Sequence, residues 1–182
     1  MTRLFVALIV PKEIKKKITE FRKEILSDWG KYKWEKEEKI HLTLKFIGEV
    51  DDIKVEKISQ SLNFIENYSK FVCRFSSFGF FFKRGIAKIL WVGISTDNSI
   101  YKLVDDINNN LEKFSIQKDE RKFKSHLTLL RLKNKESKNF IKSFENFVIP
   151  EINFIIDEAA LIKSELLPDS SKYTEIKKYK LK

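Results

Sequence analysis

Only two histidines occur in this chain, and the same three residues follow both: His41-Leu42-Thr43-Leu44 and His126-Leu127-Thr128-Leu129. In an extended strand successive side chains point to opposite faces, so the His and Thr of each copy share one face and the two Leu share the other. The Leu face needs a core. Each tetrapeptide therefore reads as a packed strand presenting a His-x-Thr pair, and the fold must place two such strands. If two halves related by an approximate two-fold axis carry them, both imidazoles and both hydroxyls line one groove.

The flanking segments support a duplicated α+β unit. Arg3 to Val10 is a short β-branched run stopped by Pro11, and Ile14, Ile18, Phe21 and Ile25 then follow helical spacing to an end near Ser27 to Gly30. Ile40 to Ile47 alternates as a strand closed by Gly48, and a helix from Ile53 to Tyr68 starts at Asp51-Asp52. Strands at Phe71 to Phe82 and Ala87 to Ser95 flank Lys83-Arg84-Gly85, which reads as a hairpin turn. After Asp97 the order starts again. A helix carries Ile100, Leu103, Val104, Ile107 and Leu111, and a strand covers His126 to Arg131. A short helix from Lys135 to Phe144, a β-rich stretch from Ile152 to Leu166 and a last strand from Tyr173 to Leu181 complete the chain. The expectation is an α+β, bilobal, pseudo-two-fold fold with two mostly antiparallel sheets lining a central groove and helices on the outer faces. At 182 residues it is a single bilobal domain over 1–182, its two similar halves each carrying one His-x-Thr motif.

Composition narrows the setting. Sixteen Phe and 42% hydrophobic residues supply a core and exclude a disordered chain. Cys73 is the sole cysteine, so there is no internal bridge, and a reducing, cytoplasmic location is expected. The longest apolar runs, Leu4 to Val10 and Ile89 to Ile94, fall short of the roughly 20 residues that cross a membrane. Lys12 to Lys17 also breaks any signal-peptide pattern. A net charge of +10 favours polyanionic partners, nucleic acid first among them.

Imidazole titrates at about 6.5, so near neutrality one ring can accept a proton while a second donates one. Threonine hydroxyls and a cation can hold the non-bridging oxygens of a phosphate between such a pair, which suits phosphoester cleavage without metal or cofactor. Two His without a local Cys or carboxylate pattern fall short of a zinc ligand set. The cation is open. Arg131 has the opposite parity from His126, so only a bulge or strand end turns it to the groove, whereas Lys45 has the parity of His41 and Thr43.

At these residues the sequence resembles the two-histidine phosphoesterase superfamily and, within it, the RNA 2',3'-cyclic phosphodiesterases, also called 2'-5' RNA ligases or LigT-like proteins. The segments that carry the resemblance are Arg3-Leu-Phe-Val-Ala-Leu8, His41-Leu-Thr-Leu-Lys-Phe-Ile-Gly-Glu49, Leu90-Trp-Val-Gly93, Ser125-His-Leu-Thr-Leu-Leu-Arg131 and Leu161 to Leu167 followed by Tyr173. The resemblance implies metal-independent hydrolysis of RNA ends bearing a 2',3'-cyclic phosphate to a 2'-phosphate, with reversible 2'-5' ligation as a related activity. It implies His41 as the acid on the departing 3'-oxygen and His126 as the base on water, an assignment open to exchange. Thr43, Thr128 and Arg131 fall on the family's phosphate-binding positions. Phe46, Phe82 and Tyr173 are the candidates for stacking a base. Proline, common before the second motif in the family, is replaced by Lys124-Ser125. No cofactor and no membrane partner are expected, and the protein is expected to be a monomer. An RNA-end-binding module without catalysis, or a phosphodiesterase for small cyclic nucleotides, are the competing classes.

Overall fold

The computed structural model describes residues 1–168 and 170–182. In chain order the regular elements are β1 (Thr2–Leu8), α1 (Lys12–Ile25), β2 (Leu42–Val50), α2 (Asp52–Ser61), β3 (Phe71–Lys83), β4 (Ile86–Ser95), α3 (Ser99–Leu111), β5 (His126–Arg131), α4 (Lys138–Glu145), β6 (Asn153–Ile156), β7 (Glu158–Leu166) and β8 (Ser171–Lys180). The strands form two four-stranded sheets, ordered β2-β1-β7-β8 and β5-β4-β3-β6. Every neighbouring pair is antiparallel. The α+β fold with two antiparallel sheets is therefore as expected.

Local chemistry explains most boundaries. Pro11 starts α1, where a missing N–H costs nothing, and Ile14, Ile18 and Phe21 are its buried stripe. Asp97 Oδ1 accepts from the Ser99 N–H at the head of α3, and Ser137 Oγ accepts from the Phe140 N–H at the head of α4. Lys83 pairs with Ile86 across a two-residue turn in which Arg84 and Gly85 both take positive φ, the turn that matches the twist of a hairpin.

Three expectations are corrected. The helix expected to reach Tyr68 ends at Ser61 and continues as a 3-10 turn, Asn63–Asn67. The Leu62 N–H still donates to the Ile58 carbonyl four residues back, whereas the Ile65 N–H donates to the Leu62 carbonyl three residues back, and that tightening ends the α-helical ladder. The strand expected to close at Gly48 runs on to Val50, with Gly48 inside it at φ +83°. The β-rich stretch from 152 to 166 divides at Asp157: β6 pairs with β3, whereas β7 pairs with β1 and β8. Neither sheet is thus built from one half of the sequence. What does repeat is β1-α1-β2-α2 and β4-α3-β5-α4.

The helices reach across between the sheets. Phe21 of α1, which connects two strands of the first sheet, packs its ring edge-on against Phe75 and Phe78 of the second. Helix α3, which connects two strands of the second sheet, touches β2, and its Asp106 accepts from the Tyr68 hydroxyl. One continuous apolar cluster consequently joins both sheets. On the opposite face of the first sheet lies a second, smaller cluster of Phe5, Ala7, Ala160 and Ile162. His41 and Thr43 stand on that second face, beside Phe5 and Ala7. Among the described residues no helix is long and apolar enough to cross a membrane.

Candidate active site

β2 and β5 are edge strands of their sheets, and they approach each other directly. His41 stands immediately before β2, and His126 is the first residue of β5. Both rings are half-buried, so solvent still reaches them. Both are held in the same way. The Nδ1 of His126 lies 2.6 Å from the carbonyl oxygen of Lys124, two residues upstream, and His41 makes a backbone hydrogen bond with Lys39, also two residues upstream. A carbonyl only accepts, so the neutral His126 ring carries its proton on Nδ1 and leaves Nε2 with a lone pair. Leu42, Leu127 and their partners Leu44 and Leu129 are buried, which sets the rings and Thr43 and Thr128 on the other face. Neither threonine hydroxyl makes a hydrogen bond to another of the described residues, so both are available to a ligand.

A bulge falls at the fourth residue of the motif in both copies. Against β1 the register runs Ala7 to Thr43 and then Val6 to Lys45, and against β4 it runs Trp91 to Thr128 and then Leu90 to Leu130. Leu44 and Leu129 are therefore the extra residues. A bulge reverses the alternation beyond it. Arg131 is thereby returned to the face of His126, side by side with Ile89 and Phe81, and is 59% exposed. The parity objection to Arg131 is met by the bulge it required. Lys45 moves the other way, contrary to the sequence expectation. It is 2% exposed on the core side, donating to the Gln117 carbonyl at 2.7 Å and pairing with Asp119 at 3.0 Å. It is a buried strut with no path to the groove.

The rings have distinct neighbours. Phe5 stacks on His41 at 4.8 Å, Tyr173 meets that ring edge-on at 5.5 Å, and Phe46 lies 6.0 Å from Phe5 and is 62% exposed. Around His126 stand Phe81 at 4.9 Å, nearly perpendicular, and Trp91 at 6.3 Å. The Lys124 ammonium sits 3.7 Å above the centre of the Trp91 ring. Of the three aromatic candidates, Phe46 and Tyr173 join the site. Phe82 does not: it packs toward Phe80, on the face of the sheet away from His126. From the sequence no site role is assigned to Phe5, Phe81, Trp91, Lys124 or Glu35, because each reaches the site through strand pairing or a loop rather than through a local pattern.

The electrostatics fit two coupled bases among cations. Burial, and then the charges of Lys15, Arg131 and His126, push the His41 pKa down to about 4, against the opposing pull of the Lys39 backbone bond. Burial followed by the Lys124 and Arg131 charges lowers His126 as well. The two rings start adjoining edge strands, and the β5 bulge sets Arg131 on the face of His126. Burial and the Glu35 carboxylate raise Tyr173, keeping its hydroxyl protonated. Two neutral imidazoles, two free hydroxyls and one exposed guanidinium can hold a phosphate and exchange protons on opposite sides of it. Among the described residues no group of three or more His, Cys, Asp or Glu is placed to hold a metal ion.

Comparison with known proteins gives consistent matches. The family model described as LigT like Phosphoesterase matches residues 8–91 and again residues 92–173. The chain is 29% identical over 172 residues to the RNA 2',3'-cyclic phosphodiesterase of Thermotoga maritima, covering 94% of this chain and 91% of that protein. It is 28% identical over 181 residues to the protein of the same name from Methanocaldococcus jannaschii, covering 97% and 99%. In three dimensions it resembles TT0787 of Thermus thermophilus, with a TM-score of 0.82 at 22% identity over 98% of this chain and 97% of that one. It also resembles E. coli LigT complexed with 3'-AMP, with a TM-score of 0.79 at 22% identity over 99% and 98%.

Proposed function

The chain belongs to the LigT-like phosphoesterase family, and from that premise we propose that it hydrolyses the terminal 2',3'-cyclic phosphate of RNA to a 2'-phosphate by paired histidine acid/base catalysis, without metal. The observation that supports this reading is that His41 and His126 stand at the starts of two adjoining edge strands, with the β5 bulge turning Arg131 to the face of His126. In the reaction His126 takes a proton from water as the water oxygen bonds to phosphorus. The bond from phosphorus to the 3'-oxygen breaks, and His41 donates the proton that the leaving oxygen needs. Arg131, Thr43 and Thr128 hold the non-bridging oxygens as charge builds on them. With an RNA 5'-hydroxyl in the place of the attacking or leaving oxygen, the same groove supports reversible 2'-5' ligation.

This assignment makes a demand on His41. Its pKa of about 4 leaves it neutral near pH 7 in the free protein, so the bound phosphate's negative charge must restore the proton. The test uses oligoribonucleotides ending in a 2',3'-cyclic phosphate, with a chelator present. The expected product is a 2'-phosphate, and release of a 3'-phosphate or no turnover rejects the reading. A substrate with sulfur at the bridging 3' position needs no acid. It is expected to restore turnover by His41→Ala and not by His126→Ala, and the opposite rescue exchanges the two roles.

A further inference from the structure

Glu35 lies in neither motif, yet it touches the site twice. Its Oε1 accepts from Arg131 Nε at 3.1 Å, and its backbone N–H donates to the Leu129 carbonyl at 2.8 Å. Leu129 is the extra residue of the β5 bulge. The preceding residue, Trp34, forms a β-bridge with Leu130, and its Nε1 donates to the Trp29 carbonyl at 2.8 Å. The segment between α1 and β2 is therefore strapped along the open edge of β5 over the residues whose bulge turns Arg131 to the groove.

We propose that Glu35 is a positioning residue, pinning the β5 bulge through its backbone and aiming the Arg131 guanidinium at the phosphate through its carboxylate. Guanidinium is a rigid fork of five donors, and Nε lies on its inner edge. A carboxylate on Nε leaves the two terminal nitrogens outside that bond, and they are the pair that matches two phosphate oxygens. The carboxylate is 20% exposed where Arg131 is 59% exposed, so the fixed member of the pair is Glu35 and the outward member is the arginine. The strap belongs to the chain of the first sheet and Arg131 to the second. Glu35 thus ties the aim of one lobe's phosphate ligand to the other lobe.

The inference rests on the proposed role of Arg131 as a phosphate ligand, but its test does not need turnover. Inorganic phosphate and a 2'-nucleotide are titrated into the full-length protein while the two histidine rings are followed by NMR. Glu35→Met keeps the bulk of the side chain and removes the acceptor. It is expected to weaken both ligands about tenfold, the usual effect of losing one charge-assisted hydrogen bond, whereas Glu35→Gln, which keeps an acceptor oxygen, stays near wild type. In an Arg131→Ala background Glu35→Met is expected to cost nothing further. A purely structural role would instead add its loss to that of Arg131→Ala, and that result overturns the proposal. Equal or tighter binding by Glu35→Met also overturns it, since the carboxylate would then only cancel the arginine's charge. Thermal unfolding checks each variant, and if Glu35→Met does not fold, Glu35→Ser takes its place with the same expectation. If wild type binds with this pattern and turns over no cyclic phosphate, the catalytic reading falls and the positioning role stands.

Discussion

Three strands of the first sheet carry the groove-facing row Thr43, Ala7, Ala160, and the matching row of the second sheet is Thr128, Trp91, Gly79. One row further, beyond the bulges, Phe46, Phe5 and Ile162 correspond to Arg131, Ile89 and Phe81. On the core side Lys45 corresponds to Leu130. The two lobes share what holds a histidine: a carbonyl two residues upstream, a Leu pair beneath and a bulge at the fourth residue. They differ at the position beyond the bulge, an exposed aromatic ring, Phe46, on one and a cation, Arg131, on the other. On the function proposed above, this asymmetric lining would fix one orientation of the phosphate, with a base directed to Phe46 and the non-bridging oxygens to Arg131.

The comparison is tested first at its shared feature. His41→Ala and His126→Ala are each expected to lower the rate at least about a hundredfold, the usual size of an acid or base contribution. A near-normal rate in one variant would make that copy a structural relic of duplication. At the feature that differs, Arg131→Ala should reduce kcat/KM about fiftyfold, and Phe46→Ala should raise KM about tenfold with little change in kcat, as expected for a charged hydrogen bond and for a stacked base. Equal effects on kcat from both would erase the proposed polarity.

The Trp91 and Gly79 row tests packing. A Cβ on Gly79 would stand 2.3 Å from the Trp91 ring, so urea unfolding of Gly79→Ala should show a loss of about 2 kcal/mol from overpacking. The reciprocal Ala160→Gly, opposite the small Ala7, should lose about 1 kcal/mol from backbone entropy and the lost buried methyl, with no clash. No loss in Gly79→Ala would mean that the indole moves aside freely.

The two rings also differ in how strongly they resist protonation. His41, at about 4 in the folded protein against an ordinary 6.5, lets the unfolded chain bind the extra proton in that interval. Its contribution to stability is complete above pH 6.5 and is lost as the pH falls to about 4, at a slope of about 1 kcal/mol per pH unit. Stability of His41→Gln should fall less steeply than wild type over that range, and identical slopes would refute the depressed value. The smallest effect is expected at Lys124→Met. Removing the ammonium from Trp91 should move the His126 titration upward in NMR spectra and leave His41 in place, since Lys124 acts on His126 and not on His41.

Alternation of residue type was enough to read the α+β class, the repeated order of strand and helix, and the shared face of each His-x-Thr pair, because strand and helix periods are local properties of neighbouring residues. It could not place Arg131 or Lys45. Each bulge exists only as a mismatch between a strand and its partner, so the exchange of their faces depends on the register with β1 and β4. Partition of the last strands at Asp157, the aromatic pair Phe81 and Trp91 beside His126, and the strap that brings Glu35 to Arg131 are likewise long-range pairings. The sequence determined which groups could do chemistry; contacts between residues far apart in the chain decided which of them share one face of the molecule.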